Sequence, residues 1–112
     1  MTNSLRHSSD TARALRRGLL EPLVLAVVES QQRYAAEIVT TLLDAGFPVQ
    51  EGTLYPLLSR LRREGFVDHE WRESPTGPPR KYFTLPPEGA RQLAEFRDYW
   101  SGLSQMIETV GR

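Results

Sequence analysis

From Gly52 to Lys81 the chain passes from a leucine-striped helical segment, through a glycine, to two extended runs separated by prolines, and few folds accommodate that order. At about 100° per residue, Leu54, Leu57, Leu58 and Leu61 share one narrow stripe. Pro56, Ser59 and Arg63 point the opposite way, flanked by Thr53, Tyr55, Arg60 and Arg62. One face suits a core; the other offers hydroxyl, aromatic and guanidinium groups. Gly65 closes the helix. In Phe66 to Arg72, Val67, His69 and Trp71 alternate with polar residues, the pattern of a half-exposed strand. Glu73 to Pro79, rich in proline, is expected to be a loop, and Arg80 to Leu85 returns as a second strand.

Elsewhere the periodicity is helical. Pro22 is acceptable in a first turn, so a helix is expected to settle near Leu19 to Pro22 and run to about Glu29, with Leu20, Leu23, Val24 and Val27 inward. Residues 11–18 either extend it or form a separate turn. A second helix spans about Tyr34 to Ala45 and stops at Gly46. Pro86 and Pro87 open a last helix reaching about Val110. Along it Leu93, Phe96, Trp100, Leu103, Ile107 and Val110 recur at alternating spacings of three and four, a coiled-coil seam suited to self-association. The expected fold is mainly α with a small β-hairpin: a winged helix-turn-helix at 15–85, a dimerisation helix at 86–112, and a flexible basic arm at 1–14.

A chain of 112 residues supports one core. It has no cysteine, which excludes disulfides, thiolate metal sites and a cysteine nucleophile, and fits a cytoplasmic setting. Neither His7 nor His69 has a second ligand at metal-binding spacing, and no phosphate-cradling glycine loop or nucleophile elbow is present, so no enzyme activity, metal or cofactor is expected. The longest apolar run, Leu19 to Val28, is broken by Glu21 and Pro22 and falls short of the roughly 20 residues of a membrane span.

Net charge is zero, which alone argues against a nucleic-acid partner. Its distribution argues the other way. Arg6, Arg13, Arg16 and Arg17 face only Asp10 in the first twenty residues, while Arg60, Arg62, Arg63, Arg72, Arg80 and Lys81 stand against five acidic residues in 51–85, a small excess that counts if the bases converge on one surface. In a winged helix-turn-helix the third helix enters the major groove and the hairpin meets the backbone. Tyr55, Ser59, Arg60 and Arg63 would then offer hydroxyl and guanidinium groups to bases and phosphates, with Arg80 and Lys81 on phosphate. The competing readings are a solvated mixed-charge surface or a winged-helix protein-interaction module, and a small metal or drug sensor whose output is not transcription.

The strings Arg17-Gly18-Leu19-Leu20-Glu21, Tyr34-Ala35-Ala36-Glu37-Ile38, Gly52-Thr53-Leu54-Tyr55-Pro56-Leu57-Leu58, Arg60-Leu61, Glu64-Gly65, Trp71 and Arg80-Lys81-Tyr82 resemble the PadR family of bacterial transcriptional regulators, in its short subgroup with one C-terminal helix. The resemblance implies a homodimeric repressor on the double-stranded DNA of a pseudo-palindromic operator, with the last helix forming the dimer. Arg16, Arg17, Tyr34, Thr53 and Pro56 then join the expected DNA contacts. In multidrug-responsive members an aromatic of that helix stacks on a planar hydrophobic effector; Trp100 matches it, with Phe96 and Leu103 alongside. A tryptophan on such a seam is otherwise plain packing. Three departures stand out. Ala35 replaces a common glycine and favours helix. Pro86 stands where threonine often caps the last helix, forfeiting roughly 0.5 to 2 kcal/mol unless Thr84 or a shifted start compensates. Gln50 replaces a capping serine or threonine before the recognition helix, whose first amides would then rely on DNA phosphate.

Overall fold

The computed structural model describes residues 10–111. In its first helix, α1 (Asp10–Ser30), residues 11–18 extend the segment expected from Leu19, and Pro22 falls inside the helix rather than in its first turn. Pro22 removes one hydrogen bond, to the Gly18 carbonyl, and an interior proline costs about 3 kcal/mol. The turns after it bury Val24, Leu25, Val27 and Val28, each worth roughly 1.5 to 3 kcal/mol, and so hold the helix through the defect. Residues 10–14 of the expected arm are therefore helical; residues 1–9 lie outside the described residues. α1 meets helices and sheet on several sides, which is why Leu25 and Val28, off the single stripe read from the sequence, are buried too.

The next two helices, α2 (Ala35–Asp44) and α3 (Glu51–Arg63), end in the same way. After α2, Gly46 at φ 96° lets its N–H reach the Leu43 carbonyl (2.9 Å) and the Phe47 N–H reach that of Leu42 (2.8 Å). After α3, Gly65 at φ 83° does the same for Arg62 (3.1 Å), and Phe66 for Leu61 (2.8 Å). Both are Schellman motifs, in which the residue after glycine packs back on the helix. Phe47 accordingly is buried and Phe66 packs against the core. α2 contributes Ala35, Ile38 and Leu42 to that core, and α3 contributes Leu54, Leu58 and Leu61. Leu43, next to Leu42 in the chain, is exposed.

Strands β1 (Asp68–Ser74) and β2 (Gly77–Thr84) form an antiparallel wing, pairing His69 with Phe83, Trp71 with Lys81 and Arg72 with Arg80. The seven-residue loop expected at Glu73 to Pro79 is instead a tight turn at Pro75 and Thr76, with the strands continuing on either side. The register slips between Arg72 and Ser74, so Pro78 and Pro79 fall in a bulge, where a residue without an N–H costs no ladder bond. Phe83 also exchanges backbone hydrogen bonds with Arg33 (2.8 and 3.3 Å), which fastens the wing to the link between α1 and α2.

Helix α4 (Pro87–Val110) starts at Pro87, whose fixed φ suits a first helical position; no side chain caps it, so Thr84 does not compensate for Pro86. Its first turn lies against the end of the α3 link so closely that a Cβ on Gly89 would sit 2.0 Å from the Phe66 carbonyl oxygen. Leu93 is buried one turn later, and Arg97 bonds Glu29 of α1 at 3.1 Å. Beyond that α4 leaves the core, in a molecule of 56 × 30 × 22 Å. Among the described residues no helix is long and apolar enough to cross a membrane. Three helices, a two-stranded wing and a long final helix make this a winged helix-turn-helix with a C-terminal extension.

Candidate nucleic-acid interface

The leucine stripe of α3 fixes which of its residues face out. With Leu54, Leu58 and Leu61 in the core, Thr53, Tyr55, Pro56, Ser59, Arg62 and Arg63 are exposed. Directly paired residues of an antiparallel hairpin share a face, so His69, Trp71, Lys81 and Phe83 lie together, and that face turns towards α3. A cavity of about 250 Å³ between helix and wing is lined by Tyr55, Ser59, Arg62, Arg63, His69 and Lys81, among others. A neighbouring one, of about 490 Å³, brings Tyr34 and Glu51 together with Tyr55, Trp71, Arg80 and Lys81.

The wing cations rest on aromatic rings. Lys81 Nζ is 5.3 Å from the centre of Trp71, Arg80 is 4.5 Å from that of Tyr34, and Arg72 is 4.9 Å from that of Tyr82. Such contacts orient a charge without neutralising it. Tyr34 is itself held, its ring edge-on to Tyr82 at 5.4 Å and its N–H donating to the Glu37 carboxylate (3.2 Å). It serves as a platform under Arg80 rather than as a free finger.

Two expected contacts are placed differently. Arg60 turns back to α1, donating to Glu21 at 2.7 Å and to Glu64 at 3.0 Å, and the hydrogen bond to Glu21 leads the effects that raise its pKa. Arg62, read in the sequence only as a flank, lines the groove instead, with Asp68 at 3.7 Å. Arg16 donates to the Pro48 carbonyl and stacks 4.5 Å over Phe47. With Arg13, Gln50 and Thr53 it borders a cavity of about 1000 Å³ beside the uncapped start of α3. The Arg17 side chain lies outside the described residues.

His69, set aside in the sequence as a lone strand histidine, sits in the groove between the rings of Trp71 (6.3 Å) and Phe83 (5.9 Å). Its Nδ1 is buried with no hydrogen-bond partner. Burial lowers its pKa, Arg62 and Lys81 lower it further, and Asp68 opposes them.

On α4, Leu93 is only 2% exposed within its own protomer, so it is a core residue and not part of a free seam. The free stripe starts at Phe96, whose ring stacks on Trp100 with centroids 6.0 Å apart and 20° between planes. Trp100, Ile107 and Val110 are exposed and Leu103 is half-buried. Tyr99 and Met106, outside the expected heptad, are exposed beside them and widen the apolar face to about 120°.

Residues 24–95 match the family model described as the transcriptional regulator PadR-like family. Among solved structures, a Streptococcus transcriptional regulator is 41% identical, with a TM-score of 0.78, covering 88% of this chain and 97% of that one. A PadR family transcriptional regulator from Eggerthella lenta is 35% identical, with a TM-score of 0.81, covering 89% and 88%. The Bacillus subtilis PadR bound to operator DNA shares the fold, at 21% identity and a TM-score of 0.64, over 70% of this chain and 46% of that one. With a family match across most of the wing and helix core, and relatives this similar along nearly their whole length, the chain belongs to the PadR-like family of transcriptional regulators, and is a regulator rather than an enzyme.

Proposed function

We propose that the chain is a homodimeric, sequence-specific DNA-binding repressor, with α3 in the major groove, the wing on the adjacent backbone, and α4 pairing two copies. One observation carries the reading: the outward face of α3, with Tyr55, Ser59, Arg62 and Arg63, lies against a wing that presents Arg80 and Lys81. Its acids are marginal, since Glu51 stands at the helix start and Glu64 is engaged by Arg60. This weighs against a pure protein-interaction module, which the neutral net charge would otherwise suit. The fold neighbour from Bacillus subtilis was solved on operator DNA, which supports the same use of this fold.

The uncapped start of α3 suits a backbone phosphate, because free amides and the helix dipole favour an anion there. Thr53, Tyr55, Pro56 and Ser59 face the bases, while Arg63, Arg80 and Lys81 meet phosphate. Operator affinity is then expected to fall steeply with salt, and Arg80→Ala or Lys81→Ala to weaken binding to all sequences alike while reducing the salt slope by about one. Titration of the DNA upstream of the protein's own gene by fluorescence anisotropy tests this; no binding at low salt would refute it. At the dimer centre, the Trp100 face not covered by Phe96 suits a planar hydrophobic effector that would release the operator. Quenching of tryptophan fluorescence by planar aromatic cations, lost in Trp100→Ala, is the expected signature, and no quenching by any of them would exclude the site.

A further inference from the structure

We propose that the groove between α3 and the wing is the seat of one DNA backbone phosphate, and that filling it draws a proton onto His69. The inference rests on the DNA-binding reading and adds a ligand position and a linked proton to it. The cavity gathers Arg62 and Arg63 from α3 with Lys81 from β2, against the single carboxylate of Asp68 at the start of β1. Ser59 and Tyr55 add hydroxyls on the helix side. Three cations against one anion leave the groove positive, and an exposed pair as long as 3.7 Å between Arg62 and Asp68 gives up little when a phosphate replaces the carboxylate.

His69 lies on the floor of this groove, wedged edge-on between Trp71 and Phe83. In the free protein the imidazolium is disfavoured by burial and by Arg62 and Lys81, with only Asp68 in its favour. Arg63 adds a further positive charge on the helix side, and Glu70 belongs to the other face of the hairpin. A phosphate reverses the balance, because it screens the cations and adds an anion beside the ring. The pKa of His69 then rises on binding. Between its free and bound values the complex holds one more proton per protomer than its parts, so affinity grows as pH falls through the bound value and levels off below the free one.

Duplex from the gene's upstream region and a random-sequence duplex are titrated against wild type, His69→Phe and His69→Gln from about pH 8 to about pH 5.5 at fixed ionic strength, near the ordinary imidazole pKa. Wild type is expected to bind both duplexes about three- to tenfold more tightly per protomer at the acid end, an increment set by how far the ring pKa rises on binding. Both variants should lose that increment, so that the affinity of each differs little between the two ends of the range. A parallel NMR titration of the His69 ring, with and without duplex, is expected to show the pKa rising in the complex. If DNA binds but the variants keep the wild-type pH slope, or the ring pKa does not move, the seat is wrong and the DNA reading stands. If no variant and no pH gives binding, both fall together.

Discussion

Arg60 and Arg62 lie two residues apart on α3 and serve different ends. Arg60 ties α3 to α1 through Glu21, so Arg60→Ala is expected to lower stability by less than about 1 kcal/mol, as exposed ion pairs do, and to leave the salt slope of DNA binding unchanged. Arg62→Ala is expected to do the reverse, sparing the urea midpoint and lowering the slope by about one. Equal salt slopes in both variants would contradict that division. His69 makes a separate prediction about the free protein. Its folded pKa lies below the ordinary value of 6.5, so the unfolded chain binds more protons as pH falls through that value, and stability present above it is lost below. His69→Phe should remove this part of the acid loss in urea melts at about pH 7.5 and about pH 5.5. Helical spacing put both arginines on the outer arc of α3. It carried no trace of Glu21, 39 residues away in the chain, which decides where Arg60 points.

The elements were legible where one local rule governs them and obscure where two compete. The α3 stripe, the glycines at 46 and 65 and the start of α4 followed from periodicity and capping chemistry alone. The wing turn and the start of α1 did not, because proline suggested a loop in the wing and a first helical turn in α1. In the wing a bulge absorbs Pro78 and Pro79; in α1 the buried turns after Pro22 outweigh its missing bond. The same contrast between local preference and packing sets two glycines of α4 apart. Gly102 faces open space in mid-helix, so Gly102→Ala is expected to stabilise by up to about 1 kcal/mol. Gly89→Ala has the same helix preference but drives a methyl into the Phe66 carbonyl at 2.0 Å, and the helix must shift. Its expected cost is about 3 kcal/mol or more, at the upper end of overpacking. Thermal melts of the two variants moving in the same direction would show that packing against Phe66 does not control the seating of α4.

At the scale of the molecule, the wing and helices close a core of their own, and the second half of α4 does not join it. From Phe96 to Val110 the helix runs about 22 Å at 1.5 Å per residue, with an apolar face of Phe96, Tyr99, Trp100, Leu103, Met106, Ile107 and Val110. A helical end of that length is marginal in water by itself, and such a stripe is stable only when covered. The face repeats at heptad spacing along its centre, which suits a second copy of the same helix. Leu103 lies mid-stripe, so Leu103→Glu places a charge where two copies would meet. It is expected to shift the protein to monomer in sedimentation and to fray α4 beyond Phe96, seen as lost helical circular dichroism. The core of the winged domain, which Leu103 does not enter, should melt much as before. Operator affinity should fall by about a hundredfold or more, because two half-sites would no longer be engaged through one linked body. Binding to the random-sequence duplex, dominated by single-protomer phosphate contacts, should fall far less. A Leu103→Glu protein that stays dimeric would move the self-association surface off α4, and one that turns monomeric with undiminished operator affinity would make the DNA-reading unit a single protomer.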